Sequence, residues 1–231
     1  MRALLKALGG AVLGVLLLGA HSEALAQAQV YDPVPPRGSA YLRIFNGLEA
    51  ELQVRPDFLP AQRLGISPEQ RVMPFTVVEN VANRQLRVEL QEGARRGTTA
   101  LRVEAGSFVT LVVHRAADGG LAATPITDVP DFNRARARLA FYNAMPDCPA
   151  ATLALLPSGP AVFDGVASLT TRARSVNPVA AETRASCGER AAAAVPLQGM
   201  EAGGMYSLWL IGGPRGPNAF LTRDVTAVFR P

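Results

Sequence analysis

An internal repeat constrains the fold of this chain more than any other feature of the sequence. Three pairs of segments hold one register: residues 41–46 with 138–143, 104–111 with 201–208, and 127–129 with 223–225. The first two pairs are spaced by 97 positions (143 − 46 and 201 − 104), and the third by 96 (223 − 127). This period is far longer than that of a solenoid, so each copy can bury its own core. The repeat therefore predicts two copies of one domain of roughly 90–100 residues.

Short segments with period-two patterning predict strands in both copies. The clearest is residues 85–90, in which Leu86, Val88 and Leu90 share one face while Arg87 and Glu89 share the other. Further strands are expected at 40–45, 51–54, 75–79, 100–103, 107–114, 138–143, 152–156, 194–197, 206–211 and 221–228. No long window has a helical period with caps. The pattern predicts an all-β fold of two tandem antiparallel β-sandwich domains.

The N-terminus has the pattern of a secretory signal peptide. Arg2 and Lys6 precede an apolar run over residues 7–20, and Ala24 and Ala26 form a small-x-small cleavage site. An uncleaved membrane anchor is the alternative, but this run is shorter than the roughly 20 residues that span a bilayer. We expect cleavage after Ala26 and export to the periplasm.

The predicted domain organisation follows from this segment, the proline content and the repeat register. Residues 1–26 are the signal peptide, and residues 27–39 form a proline-rich arm that cannot be a helix or a central strand. The first domain is expected at 40–129, a short linker at 130–136, and the second domain at 137–231.

The only two cysteines, Cys148 and Cys187, both fall in the second copy. An even number of cysteines in an exported chain predicts a disulfide between them. In the repeat register the first copy has Glu51 and Leu90 at these positions, so the fold itself does not require the bridge.

The basic residues are almost all arginine. The chain has 23 Lys and Arg against 19 Asp and Glu, and Lys6 is the only lysine. Arginine suits bidentate recognition of carboxylates, although a GC-rich genome would produce the same bias. The net charge of +4 is too small to favour nucleic-acid binding.

Few residues of the sequence suggest catalysis. Past the predicted cleavage site His114 is the only histidine, and it ends an apolar strand where a surface position is expected. Asp128 and Asp224 are repeated acids at the end of each copy, which favours a turn or capping role over a paired-carboxylate hydrolase. The sequence predicts no catalytic residue, cofactor or metal site. Trp209 and Tyr206 are candidates for direct sugar binding, but their odd spacing on one strand places them on opposite faces, which favours core packing for at least one of them.

A more specific signal lies in the arm and the first strand. Three motifs follow one another: Tyr31-Asp-Pro33, Pro36-Arg37-Gly-Ser39 and Arg43-Ile-Phe-Asn46. This order resembles the start of the AlgF family, periplasmic accessory proteins of alginate O-acetylation with a signal peptide, an arm and two β-sandwiches. Asp32 stands where that family has glycine, and the match is weaker beyond Asn46.

The resemblance implies a non-catalytic adaptor in exopolysaccharide O-acetylation. Such a protein helps relay acetyl groups from a membrane-bound O-acyltransferase to SGNH-type periplasmic acetyltransferases, and the polymer can be alginate, cellulose or another polysaccharide. The alternative is a secreted polysaccharide-binding module that has no role in acetylation.

The resemblance also suggests candidate residues for partner binding: Tyr31, Pro33, Pro36, Arg37 and Arg43. The prolines fix φ and reduce the entropy lost on docking, but an arm that only covers an edge strand of its own domain is an equal alternative. Arg43 is specific to the first copy, because its counterpart is Ala140. Asn46 recurs as Asn143 and is expected to serve the turn after the strand.

Overall fold

The computed structural model describes residues 35–82, 84–130 and 133–229. The predicted signal peptide and the candidates Tyr31 and Pro33 lie outside these residues. The first half of the described chain contains, in order, β1 (Ala40–Asn46), β2 (Leu52–Pro56), β3 (Gln62–Leu64), α1 (Pro68–Arg71), β4 (Thr76–Val78), β5 (Leu86–Glu92), β6 (Arg95–Leu101), β7 (Phe108–Arg115) and β8 (Leu121–Asp128). The second half contains β9 (Ala137–Asn143), β10 (Ala151–Leu155), β11 (Ala161–Val166), β12 (Thr170–Val176), β13 (Glu182–Cys187), β14 (Arg190–Pro196), β15 (Met205–Ile211) and β16 (Asn218–Arg223).

Each half is a sandwich of two four-stranded sheets. The first half has the strand orders β4-β1-β7-β8 and β3-β2-β5-β6, and the second has β12-β9-β15-β16 and β11-β10-β13-β14. Strands β1 to β8 therefore correspond one to one with β9 to β16. The structure confirms the all-β fold, the two sandwiches and the repeat that relates them.

Two strand pairs depart from a uniformly antiparallel arrangement. β1 pairs with β7 in parallel, and β9 pairs with β15 in the same way, whereas the other pairs of named strands are antiparallel. These four strands carry two of the three segment pairs that reveal the repeat in the sequence. They are also the central strands of the two sheets that face each other, which makes them the most buried strands of each half.

Each half has its own hydrophobic core, as the repeat length predicts. In β5 the residues Leu86, Val88 and Leu90 are buried in the first core, whereas Arg87 and Glu89 are exposed, which confirms the period-two prediction. Every residue of β9 is buried instead, because its sheet is covered on both faces. A strand buried on both faces has mainly apolar side chains, and β9 departs from this only at a few polar residues such as Arg138 and Asn143.

Asn46 and Asn143 serve the turns that follow β1 and β9. The side-chain amide of Asn46 donates to the carbonyl oxygens of Ala50 and Gly65, both at 2.9 Å, and that of Asn143 donates to Cys148 at 2.8 Å and Val166 at 2.9 Å. Both asparagines are fully buried. Their repetition is thus explained by the buried backbone carbonyl groups that the turn of each half must satisfy.

Several strands differ from the predicted ones. β6 runs from Arg95 to Leu101, earlier than the predicted 100–103, and β3, β8, β11, β12 and β13 were not predicted. Most of these missed strands lie at sheet edges, where alternate residues face solvent and the apolar signal is weak. β12, for example, reads Thr-Thr-Arg-Ala-Arg-Ser-Val and has no fully buried residue.

The predicted disulfide between Cys148 and Cys187 is present in the second half, with a Cα–Cα distance of 5.8 Å. That separation lies in the normal range for a disulfide. Both cysteines belong to the hydrophobic core of this half. In the first half, β5 packs the buried Leu90 at the position equivalent to Cys187.

Removing this bridge is expected to weaken the second half without abolishing its fold. The bridge closes a loop with a sequence separation of 39 residues, so the chain-entropy model predicts a loss of about 4 kcal/mol. The measurement is urea unfolding of the double variant Cys148→Ala/Cys187→Ala, with the reduced wild-type protein as the control for lost core volume. A double variant as stable as the wild type, or one that is unfolded in water, would contradict the prediction.

Candidate functional site

The two halves meet through the outer faces of the sheets that contain β1 and β9. A third hydrophobic cluster joins them, and its fully buried members are Phe45, Val112, Ile126, Ala140, Tyr142, Ala144, Trp209, Ile211 and Phe220. Trp209 is stacked between Phe45, at 4.0 Å between ring centroids, and Tyr142, at 4.1 Å. The described residues accordingly form one compact unit.

Trp209 is therefore not an exposed platform for sugars. It is fully buried, and its indole nitrogen donates to the hydroxyl of Thr222 at 2.8 Å. Tyr206 lies on the opposite face of β15, in the core of the second half, and is 5% exposed. The prediction of opposite faces, with core packing for at least one of the two rings, is confirmed, and neither ring is exposed to a sugar.

Arg43 is the centre of a polar cluster within this interface. Its Nη1 lies 2.6 Å from Asp224 Oδ1 in an ion pair between the two halves. The other donors reach the hydroxyl groups of Thr110 at 2.8 Å, Tyr142 at 2.9 Å and Ser207 at 3.1 Å. The guanidinium also lies over the ring of Phe75, 4.2 Å from its centroid. One side chain thus contacts both halves through charge, hydrogen bonds and an aromatic face.

Arg138 is the second arginine of the cluster. Its Nη2 lies 3.8 Å from Asp128 Oδ1, and its Nη1 lies 3.7 Å from Asp224 Oδ2. Its Nε donates to the carbonyl oxygen of Val129 at 2.7 Å. Arg138, at the start of β9, therefore contacts both repeated acids and also the backbone at Val129, just after β8.

Both copies of the repeat contain the acidic part of this cluster, whereas each arginine is present in one copy only. Thr110 donates to Asp128 at 2.7 Å, and its counterpart Ser207 donates to Asp224 at 2.7 Å. In the repeat register, however, Arg43 corresponds to Ala140 and Arg138 to Tyr41. The two copies therefore share the hydroxyl–carboxylate pair, and each copy carries its arginine at a different strand position.

Burial dominates the electrostatics of Asp128. Desolvation raises the pKa of its carboxyl group, and the nearby charge of Asp224 raises it further. The positive charges of Arg43 and Arg138 and the hydrogen bond from Thr110 oppose this rise. The net pKa remains above the ordinary value, so ionising Asp128 costs more free energy in the folded protein than in the unfolded chain.

Asp128 and Asp224 have a different role from the one predicted. They neither cap a turn nor face a substrate, because their side chains are only 3% and 2% exposed and lie in ion pairs with the arginines. The same contacts occupy both carboxylates, which argues against a hydrolase that uses this pair.

His114 is also buried, so the expected surface position was wrong. It is 8% exposed, and both ring nitrogens have partners. Nδ1 lies 2.8 Å from the carbonyl oxygen of Arg115 and so carries the proton, while Nε2 lies 2.9 Å from the hydroxyl of Thr124. These contacts give His114 a structural role.

Of the candidates for partner binding, the structure describes Pro36, Arg37 and Arg43, and these differ in exposure. Arg43 is 1% exposed and belongs to the interface, so it is unavailable to a partner at the surface. Pro36 and Arg37 are exposed in a turn closed by a hydrogen bond of 3.2 Å from the Ser39 amide to the Pro36 carbonyl oxygen. These two residues keep their predicted role as a hypothesis.

No model of a known protein family matches this chain, and no curated protein matches it either. Within residues 35–82, 84–130 and 133–229, no group of three or more His, Cys, Asp or Glu side chains is arranged to hold a metal ion. In the same part of the chain, no helix has the length and apolar character needed to cross a membrane.

Replacing Arg43 is expected to destabilise the protein strongly. Arg43→Met leaves Asp224 buried without its closest cation, which typically costs about 3–5 kcal/mol. The control is Arg63→Met, because Arg63 and its partner Glu51 are exposed (65% and 51%) and such pairs contribute at most about 1 kcal/mol. Urea unfolding of both variants checks this, and equal losses would show that the buried pair has no special role.

The raised pKa of Asp128 sets the sign of a pH effect. A carboxyl group whose pKa is higher in the folded state adds stability below its unfolded pKa, and this contribution is lost as the pH rises through the folded pKa. The free energy of unfolding of the wild type, minus that of Asp128→Asn, should therefore decrease from about pH 4 upward until Asp128 is ionised. Unfolding curves of both proteins across this range measure it; a difference that increases with pH would reverse the sign.

Proposed function

We propose that this protein is a non-catalytic periplasmic adaptor in exopolysaccharide O-acetylation. In this role it helps relay acetyl groups from a membrane-bound O-acyltransferase to SGNH-type periplasmic acetyltransferases. The resemblance of residues 31–46 to the AlgF family suggests the pathway. The observation that carries the adaptor role is the buried interface, in which Arg43, Asp224 and Trp209 join two sandwiches into one unit.

The outer faces of the two halves support a protein with two different partners. In the first half this face carries polar and charged side chains, such as Gln53, Arg55 and Glu89. In the second half the equivalent sheet exposes Glu182 and Arg184 on β13 but also small apolar side chains on β14, such as Ala191 and Ala193. Because the interface holds the halves together, two dissimilar surfaces are presented at a constant separation. That arrangement fits a protein that organises a handover between two enzymes.

The test is the acetyl content of the exopolysaccharide after clean deletion of the gene. We expect acetylation to fall while polymer production continues, and expression of the wild type or of Arg63→Met to restore it. Arg43→Met, compared at equal periplasmic abundance, should restore less because its two halves are no longer fixed in one relative orientation. Normal acetylation in the deletion strain would eliminate the proposal, and co-purification with a membrane-bound O-acyltransferase would support it.

A second candidate function is polysaccharide binding without acetylation. One feature favours it: a shallow polar cleft of about 270 Å³ on the outer face of the first half, lined by Gln53, Arg55, Glu89, Leu90, Gln91, Arg96, Gly97 and Thr98. It predicts saturable binding of the isolated protein to purified exopolysaccharide, with loss of binding in Arg96→Ala. This result together with normal acetylation after deletion would favour the second candidate over the adaptor.

A further inference from the structure

The polar cleft on the outer sheet of the first half is built from three neighbouring strands. Its polar lining comes from β2, β5 and β6, in that order: Gln53, Arg55, Glu89, Gln91, Arg96 and Thr98. Arg55 pairs with Glu89 across the strands, and Glu89 pairs with Thr98 on its other side. These three residues therefore form one row across the sheet, with the carboxylate in the middle.

Arg96 belongs to the next row, in which Gln53 pairs with Gln91 and Gln91 pairs with Arg96. The side-chain amide of Gln91 orients this arginine, because Arg96 Nη1 donates to its Oε1 at 2.9 Å and its Nε2 donates to the carbonyl oxygen of Gly93 at 3.2 Å. From the usual strand spacing and rise, the Cα atoms of Arg55 and Arg96 lie roughly 12 Å apart. The cleft thus has a guanidinium group at each of two opposite corners.

The charged groups of the first row are available to a ligand. Arg55, Glu89 and Thr98 are exposed, and no side-chain hydrogen bond or ion pair links any of them to another described residue. A guanidinium group presents only donors, a carboxylate only acceptors, and a hydroxyl group both. The row can therefore donate to one part of a ligand and accept from another.

The second half shows that the sandwich does not require these charges. In the strand register that relates the two halves, Arg55 corresponds to Thr152 and Glu89 to Ser186, which likewise pair with each other. The hydroxyl of Thr152 instead donates to Asp164 at 2.7 Å. The same sheet forms in both halves, so the charges at positions 55 and 89 serve something other than the fold.

A second depression, of about 490 Å³, adjoins the cleft, and Gln53 and Gln91 line both. The carboxylates in its lining, Glu51 and Glu92, each form an ion pair with an arginine. Their charge is therefore compensated within the protein. The two depressions form one trough, defined by the linings of both, and its shape suits an elongated ligand.

The order of groups in the trough selects the chemistry of that ligand. Arg55 and Arg96 can bind carboxylates in bidentate geometry. Glu89 accepts hydrogen bonds from hydroxyl groups but repels a carboxylate. Because β5 lies between β2 and β6, Glu89 separates the two arginines. A ligand with contiguous negative charge would meet this repulsion, whereas one whose carboxylates are separated by hydroxyl groups would satisfy all three side chains.

We propose that this trough binds an acidic polysaccharide, with sugar carboxylates at Arg55 and Arg96 and sugar hydroxyl groups at Glu89. The proposal rests on the second candidate function, polysaccharide binding, and adds the substrate class of that site. Within the described part of the chain, no aromatic ring lines the trough. Charge and hydrogen bonds therefore supply the affinity, and binding should weaken as salt screens the charges.

The probe is a fluorescently labelled oligogalacturonate, a chain of sugar acids, and its matched control is the same oligomer with methyl-esterified carboxylates. Fluorescence anisotropy with the full mature protein should show binding of the free acid only. The double variant Arg55→Gln/Arg96→Gln keeps polar side chains but removes both charges, and it should bind at least about tenfold more weakly. Arg184→Gln is the control variant, because Arg184 is exposed on the outer sheet of the second half, and it should bind as the wild type does.

Amide chemical shifts of the wild-type protein locate the bound oligomer independently of any variant. We expect changes in β2, β5 and β6 and none in β10, β13 and β14. Changes confined to other strands would contradict the assignment of the site.

The outcomes separate this proposal from the function on which it rests. Equal binding of the acid and its ester would overturn the acidic substrate class and leave polysaccharide binding standing. Equal binding of poly-glutamate, or of the acid by the double variant, would also overturn the proposal, because the separated arginines would then not select the ligand. No binding of the free acid at millimolar sugar would overturn it too, and the second candidate function would then depend on the native exopolysaccharide alone.

Discussion

The ion pair between Arg43 and Asp224 is the contact on which the arrangement of the two sandwiches depends. Both side chains are almost fully removed from water, so each charge is tolerable only while the other is present. The rings of Trp209, Phe45 and Tyr142 exclude water from the surroundings, and this strengthens the electrostatic attraction. The apolar contacts alone would stabilise many orientations of two sheets. The arginines, with their directional hydrogen bonds, select one of them.

The duplication explains why this interface could form. Each copy carries the same hydroxyl–carboxylate pair on the outer face of its central strands, Thr110 with Asp128 and Ser207 with Asp224. Two identical copies would have brought two acids together without a cation. The arginines at positions 43 and 138 compensate that charge, and Arg138 also binds the carbonyl oxygen of Val129.

Much of the fold was predictable from the sequence, but the polar interface was not. The repeat, the alternation in β5 and the cysteine pair each reflect local chemistry that a single sequence shows directly. The sequence pattern places Arg43, Asp128, Asp224 and His114 at the surface or in turns, because charged and polar residues are usually exposed. A usable signal was present: Arg43 and Thr110 interrupt strands that are otherwise apolar on both faces. In a sheet with one solvated face the outward residues would be mainly polar, so an apolar outer face indicates a second covered surface.

By itself the sequence determined the two sandwiches, the disulfide and the turns held by Asn46 and Asn143, because these depend on contacts within one copy. Only the tertiary structure decided which faces of the copies meet, and hence that Arg43 joins the halves instead of facing a partner. The same is true of the backbone pairing of Val225 with Phe75 beside β4. Whether a strand edge is covered depends on where a distant segment lies, and the register of Val225 beside Phe75 has no trace in the local pattern of either segment.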